Sequence, residues 1–164
     1  MKEDTILKVL PWDVRSIIQK EKLEFEYLQE IRLREGKPLI FLYHDTEIIP
    51  GSGMNKPYLV TKDNIREMLE YISNYSLYAC EQEMRQGFIT IEGGHRVGLS
   101  GQAIMENGKV KNLKYISSVN IRVAHEMLGC ADRVFPYIVC NKALCHTLIV
   151  SPPGCGKTTL LRDL

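Results

Sequence analysis

The run S-P-P-G-C-G-K-T, Ser151 to Thr158, constrains local architecture more tightly than any other stretch of the chain. A phosphate-binding loop of this kind needs three parts. A strand delivers the backbone, a glycine-rich turn wraps an anion with N–H groups, and a helix begins with its positive end aimed at the same anion. Thr147 to Val150 (T-L-I-V), preceded by Ala143 and Leu144, predicts a buried strand of a parallel sheet. Gly154 and Gly156 supply unhindered backbone, while Pro152 and Pro153 forbid helix before the turn. Lys157, Thr158, Thr159, Leu160, Leu161 and Arg162 suit the first turns of a helix. The expected nucleotide-binding residues are therefore Ser151, Pro152, Pro153, Gly154, Cys155, Gly156, Lys157, Thr158 and Thr159. Lys157, the expected catalytic cation, would reach the β- and γ-phosphates of ATP, and the Thr158 hydroxyl would be a ligand of Mg²⁺. Ser151 stands where the usual pattern opens with glycine and is small enough for the same turn. Cys155 reads as a small filler; the other reading is a thiol activated near a helix N-terminus.

In a working P-loop hydrolase a second apolar strand follows, ending in a carboxylate that holds Mg²⁺ through water. Six residues follow Thr158 here. The expectation is an N-terminal α+β domain over 1–133, with a possible division near 24. It is followed over 134–164 by the first strand, P-loop and helix start of an α/β P-loop NTPase core of RecA/AAA-like type, truncated just after the Walker A motif. Such a form lacks the Walker B carboxylate and is expected to bind Mg·ATP weakly or not at all by itself.

Along the rest of the chain, periodicity places the elements. Asp4 to Lys22 reads as two short helices divided at Pro11, with Trp12 anchoring the corner. From Leu28 the period becomes two, predicting strands over Leu28 to Arg34, Leu39 to Tyr43 and Glu47 to Ile49, with His44-Asp45 as a turn. Arg32 and Arg34 then share one side, read as solvent-facing. Thr61 can N-cap a helix that carries Ile65, Met68, Leu69 and Ile72 on one face. A second helix runs from Leu77 to Gln86, capped by Ser76 and ended by Gly87. Phe88 to Glu92 and His95 to Met105 form a hairpin about a two-residue Gly93-Gly94 turn, and Gly98 and Gly101 mark bulges or close approach in the return strand. Glu106 to Lys109 is another hairpin turn, with further strands over Val110 to Leu113 and Asn120 to Val123. Helices packed on a curved antiparallel sheet follow from this order, and 129–141 is the passage into the NTPase part.

Composition excludes several function classes. Lys and Arg (21) nearly equal Asp and Glu (20), for a net charge of +1, so there is no basic footprint for direct nucleic-acid binding. No stretch approaches the ~20 apolar residues of a transmembrane helix, and M-K-E-D-T-I-L-K lacks the apolar core of a signal peptide. The cysteines, Cys80, Cys130, Cys140, Cys145 and Cys155, are odd in number and lack C-x-x-C spacing, which favours reduced thiols. A metal site from Cys130, Cys140, Cys145, His125 and His146 matches no zinc spacing.

Blocks across nearly the whole chain carry a resemblance. They include Leu28 to Pro38 (L-Q-E-I-R-L-R-E-G-K-P), Ile72 to Tyr78 (I-S-N-Y-S-L-Y), Glu83 to Gly101 (E-M-R-Q-G-F-I-T-I-E-G-G-H-R-V-G-L-S-G), Ile116 to Val123 (I-S-S-V-N-I-R-V) and Ser151 to Leu164. With these the chain resembles the N-terminal half of the stage III sporulation protein AA family, P-loop ATPases of spore-formers related to the ring-shaped motors of type II secretion and type IV pilus systems. The resemblance implies an ATP- and Mg²⁺-dependent motor subunit of a secretion-like channel between mother cell and forespore. Its partners would be other copies of the same protein and membrane components of the channel. Its location would be the mother-cell cytoplasm, peripheral at the membrane through those partners. It also implies that arginines of the N-terminal domain reach the nucleotide phosphates, and by position these are Arg96 and Arg122; each also reads as an arginine solvated on a sheet face. The alternative function is a non-enzymatic interaction module that binds channel components, with the loop as an inactive tail. His95, beside Gly94, is expected to hydrogen-bond the hairpin.

Overall fold

The computed structural model describes residues 2–53, 56–73, 81–125, 129–140, 143–152 and 155–164. The chain divides into two compact units, Met1–Ala124 and His125–Leu164. In the first, helices α1 (Lys2–Val9) and α2 (Trp12–Lys20) meet at Pro11. Proline has no N–H to continue α1, and its fixed φ of −58° suits the start of α2. Arg15 closes the corner. Its guanidinium donates to Leu10 O at 2.6 Å and Lys8 O at 3.1 Å, carbonyls that the end of α1 leaves without helical partners. Trp12 does not anchor this corner, as its ring is 70% exposed; Leu10 and Val14, both fully buried, do so instead.

A meander follows: β1 (Leu28–Arg34), β2 (Ile40–Tyr43) and β3 (Thr46–Ile48). Tyr43 pairs with Thr46, so His44 and Asp45 form a two-residue turn, both at positive φ. Thr61 caps α3 (Lys62–Ile72): its hydroxyl accepts from Asn64 N at 3.2 Å while Asn64 Oδ1 accepts from Thr61 N at 2.9 Å. Helix α4 (Glu81–Arg85) ends at Gly87, whose φ is +82°. The expected start of that helix, Ser76 and Leu77, lies outside the described residues.

Strands β4 (Phe88–Ile91), β5 (His95–Glu106) and β6 (Lys109–Arg122) complete an antiparallel sheet of order β3-β2-β1-β6-β5-β4. Two expectations change here. Ile91 pairs with His95, so the loop has three residues, Glu92, Gly93 and Gly94, with both glycines at positive φ. The segments 110–113 and 120–122 belong to one long strand, because a bulge around Tyr115 (φ +49°) absorbs the interruption. Gly98 sits in regular register with Asn120, whereas Gly101 is the point of close approach: a Cβ there would lie 2.7 Å from Lys114 O and 2.9 Å from Ile116 Cα.

Alternation sorts the sheet into two faces. Ile31, Leu33, Phe41, Ile89, Val97, Leu99, Val119 and Ile121 point inward and pack against Ile6 of α1, Leu10 at the corner, Val14 and Ile18 of α2, and Ile65, Met68 and Met84 of α3 and α4. Each such side chain taken from water contributes ~1.5–3 kcal/mol, and the helices cover only this face. Glu30, Arg32, Arg34, Arg96 and Arg122 therefore lie on the other.

The second unit is described separately. It holds α5 (Phe135–Ile138), a two-stranded hairpin of β7 (Val139–Cys140) and β8 (Ala143–Leu144), and α6 (Lys157–Asp163). The buried parallel strand expected at Thr147 to Val150 is not formed. Residues 145–150 have no regular structure, and Leu148 and Val150 are 86% and 80% exposed. Parallel strands are held by neighbours on both edges and helices on both faces, and no strand among the described residues pairs with this segment.

Candidate functional site

Lys157, the first residue of α6, ties the helix start to the segment before it. Its ammonium donates to Ser151 O at 2.8 Å, Ser151 Oγ at 3.2 Å and Pro152 O at 2.8 Å, so the last residue of the turn reaches back to the first. Gly156 stands immediately before α6 with φ 76° and ψ 15°, a left-handed conformation that a side chain would strain. Its carbonyl accepts from Leu160 N at 2.9 Å, while no side chain caps the first turn of the helix. Cys155 and Thr158 are exposed, and Thr159 is half-buried. Pro153 and Gly154 lie outside the described residues.

A carboxylate that sequence reasoning did not single out organises the far end of α6. Asp163 accepts from Gly129 N at 3.0 Å and Ala131 N at 2.7 Å. The Ala131 N–H, first, and that of Gly129 hold its pKa below the ordinary carboxylate value. One sequence signal did exist: an acidic residue in the last turn of a helix opposes the helix dipole and needs another partner.

Arg96 and Arg122 are brought together in the first unit. They are register partners across β5 and β6, both exposed on the face opposite the core. Arg96 also lies over the Phe88 ring, its Cζ 5.9 Å from the centroid. Glu30 is the register partner of Arg122 on the other side, but its carboxylate accepts from Arg32, which also pairs with Glu47. Those two carboxylates, Glu30 first, raise the pKa of Arg32. His95 is buried on the inner face, and its Nδ1 accepts from Ala124 N at 2.9 Å rather than from the hairpin. Nδ1 as acceptor places the ring proton on Nε2. The ring packs on the hairpin loop, where a Cβ on Gly93 would lie 2.7 Å from Nε2.

Among the described residues, no three His, Cys, Asp or Glu side chains gather into a metal-holding group, and no helix is long and apolar enough to cross a membrane.

The full sequence, residues 1–164, matches the family described as sporulation stage III, protein AA. The chain belongs to that family. It is 40% identical over 160 residues to the stage III sporulation protein AA of Bacillus subtilis (strain 168), an alignment covering 97% of this chain and 50% of that protein. This member of the family thus spans half the length of that relative. Among solved structures, the pilus retraction motor PilT with bound ADP aligns over 90% of this chain and 41% of its own, at 18% identity and a TM-score of 0.48. At that score the similarity carries no argument about chemistry.

Proposed function

We propose that the chain is the nucleotide-binding N-terminal part of an ATPase subunit that drives a sporulation channel between mother cell and forespore. On this reading it works from the mother-cell cytoplasm, with other copies of itself and with membrane components of the channel. The observation that supports it best is the Lys157 ammonium held by Ser151 O and Pro152 O, each at 2.8 Å. Neutral carbonyls are weaker partners for an ammonium than phosphate oxygens, so an entering nucleotide exchanges one set of hydrogen bonds for a stronger one. The N–H groups that open α6 have no side-chain cap and suit phosphate oxygens, and the exposed Thr158 hydroxyl suits Mg²⁺. Mg·ATP supplies the phosphoryl group to be transferred; Lys157, Thr158 and Thr159 hold and orient it. Arg96 and Arg122 offer two adjacent guanidinium forks on an open face, an arrangement that suits a phosphate oxyanion.

The test is Mg·ATP binding and turnover in a full-length family protein carrying these residues. Lys157→Ala should abolish turnover, and unchanged micromolar binding in that variant contradicts the proposal. Arg96→Ala and Arg122→Ala should each lower turnover and leave assembly intact; unchanged turnover in both removes the arginine role.

A second reading, a non-enzymatic module that binds channel components, is favoured by the exposed apolar side chains Tyr137, Leu144, Leu148 and Val150. Under it, Leu148→Asp weakens assembly with those components while Lys157→Ala leaves it unchanged.

A further inference from the structure

Two thiols meet on the hairpin that precedes the phosphate loop. Cys140 pairs with Ala143 and Val139 with Leu144, and the ladder continues through Cys145 N, which donates to Ile138 O at 2.8 Å. Side chains alternate along each strand, so Ile138, Cys140, Ala143 and Cys145 share one face, with the two cysteines as diagonal neighbours. Cys140 is exposed and Cys145 half-buried; both are free thiols. The twist of a two-stranded ribbon shortens one diagonal between such neighbours.

We propose that Cys140 and Cys145 are a disulfide-forming dithiol whose co-reactant is a low-molecular-weight disulfide of the glutathione or bacillithiol class. The exposed Cys140 thiolate attacks one sulfur of the small disulfide, forming a mixed disulfide and releasing one small thiolate. The Cys145 thiolate then attacks the Cys140 sulfur, the new S–S bond forms, and the second small thiolate leaves. The two protein thiol protons end on the two released thiols. The protein pair is oxidised by two electrons, and the small disulfide is reduced to two thiols.

Closing the bond requires the two sulfurs to reach covalent distance. The hairpin allows this, because among the described residues two register pairs define it and no third strand fixes it. Cys145 as acceptor for the Cys140 S–H, with burial second, raises the pKa of Cys140, so the thiolate fraction and the rate should climb as pH rises above neutrality. The bond would tie β7 to the segment leading into Ser151.

The test treats the folded 164-residue chain with oxidised glutathione, then alkylates and digests it with trypsin, which cuts after Lys142 and separates the two cysteines. The expected product is peptide 134–142 linked to peptide 143–157, in a chain lighter by two hydrogens. Because 143–157 also holds Cys155, the link should survive Cys155→Ser and vanish in Cys145→Ser, where a glutathione adduct should accumulate on Cys140 instead. A wild-type chain that stops at that adduct, or a link that is lost in Cys155→Ser, overturns the proposal. Phenylarsine oxide gives an independent reading on the untreated chain: it should consume two thiols per bound arsenic in wild type, and failure to bridge them also overturns it.

Discussion

Arg96 of β5 and Arg122 of β6 stand directly opposite each other on the open face of the sheet, and neither takes part in an ion pair found among the described residues. Like charges in register oppose strand pairing by roughly 0.2–1 kcal/mol. Arg96→Gln or Arg122→Gln in the 164-residue chain should therefore leave thermal stability unchanged or raise it slightly. Arg32→Gln should lower it, because that guanidinium joins two carboxylates. Melting curves of the three variants check the contrast.

Asp163 ties α6 to the backbone at Gly129 and Ala131. Its folded pKa is lowered, so its contribution to stability is present above the unfolded carboxylate value of about 3.9 and is lost as pH falls through the lowered folded value. Asp163→Asn should flatten the acid limb of the second unit's stability curve and speed amide exchange at residues 129 and 131. Hydrogen exchange measured against pH checks both effects.

The Tyr58 hydroxyl lies 2.9 Å from Asn64 Oδ1 and 3.1 Å from Asp13 Oδ2. Burial first, and then the Asp13 carboxylate, push its pKa up to about 12. The neutral phenol is therefore the form that folding favours. The stability it gives is complete below the unfolded value of about 10 and is lost as pH rises from there through about 12. Ultraviolet titration should show one late-ionising tyrosine that disappears in Tyr58→Phe, and Asp13→Asn should bring its midpoint down.

At Gly101 the backbones of β5 and β6 leave no room for a side chain. Gly101→Ala should cost ~1–3 kcal/mol, the usual range for overpacking. Gly53→Ala is the control, since nothing lies within 4 Å of a Cβ there, and it should be close to neutral. Urea denaturation separates the two.

Elements whose cause is local were legible in the sequence. Pro11 divides two helices because it lacks an N–H, and Thr61 caps α3 through a residue three positions away. Alternation from Leu28 onward identified β1 and its buried face. Features that depend on register were not. Gly93-Gly94 suits a two- or a three-residue loop, and only the Ile91–His95 pairing decides between them. The facing of Arg96 and Arg122 is likewise a property of strand alignment, across 26 positions of chain. Apolar character alone predicted a strand at Thr147 to Val150, but a strand also needs neighbours to pair with. In the candidate site, the Lys157 contact with Ser151 is local, six positions along the chain. The Asp163 contacts, 32 and 34 positions away, were not.

The bond from Ala124 N to His95 Nδ1 lies where β6 gives way to the segment that leaves the first unit. β6 is flanked by antiparallel ladders to β1 and β5. A pull on the chain beyond Ala124 therefore runs along the strand and loads both ladders in shear, with many hydrogen bonds sharing the force at once. Peeling from an edge would break them one by one. The first unit should thus be mechanically stiff along that exit direction and soft when pulled from the edge strand β3, a direction-dependent strength set by strand order alone.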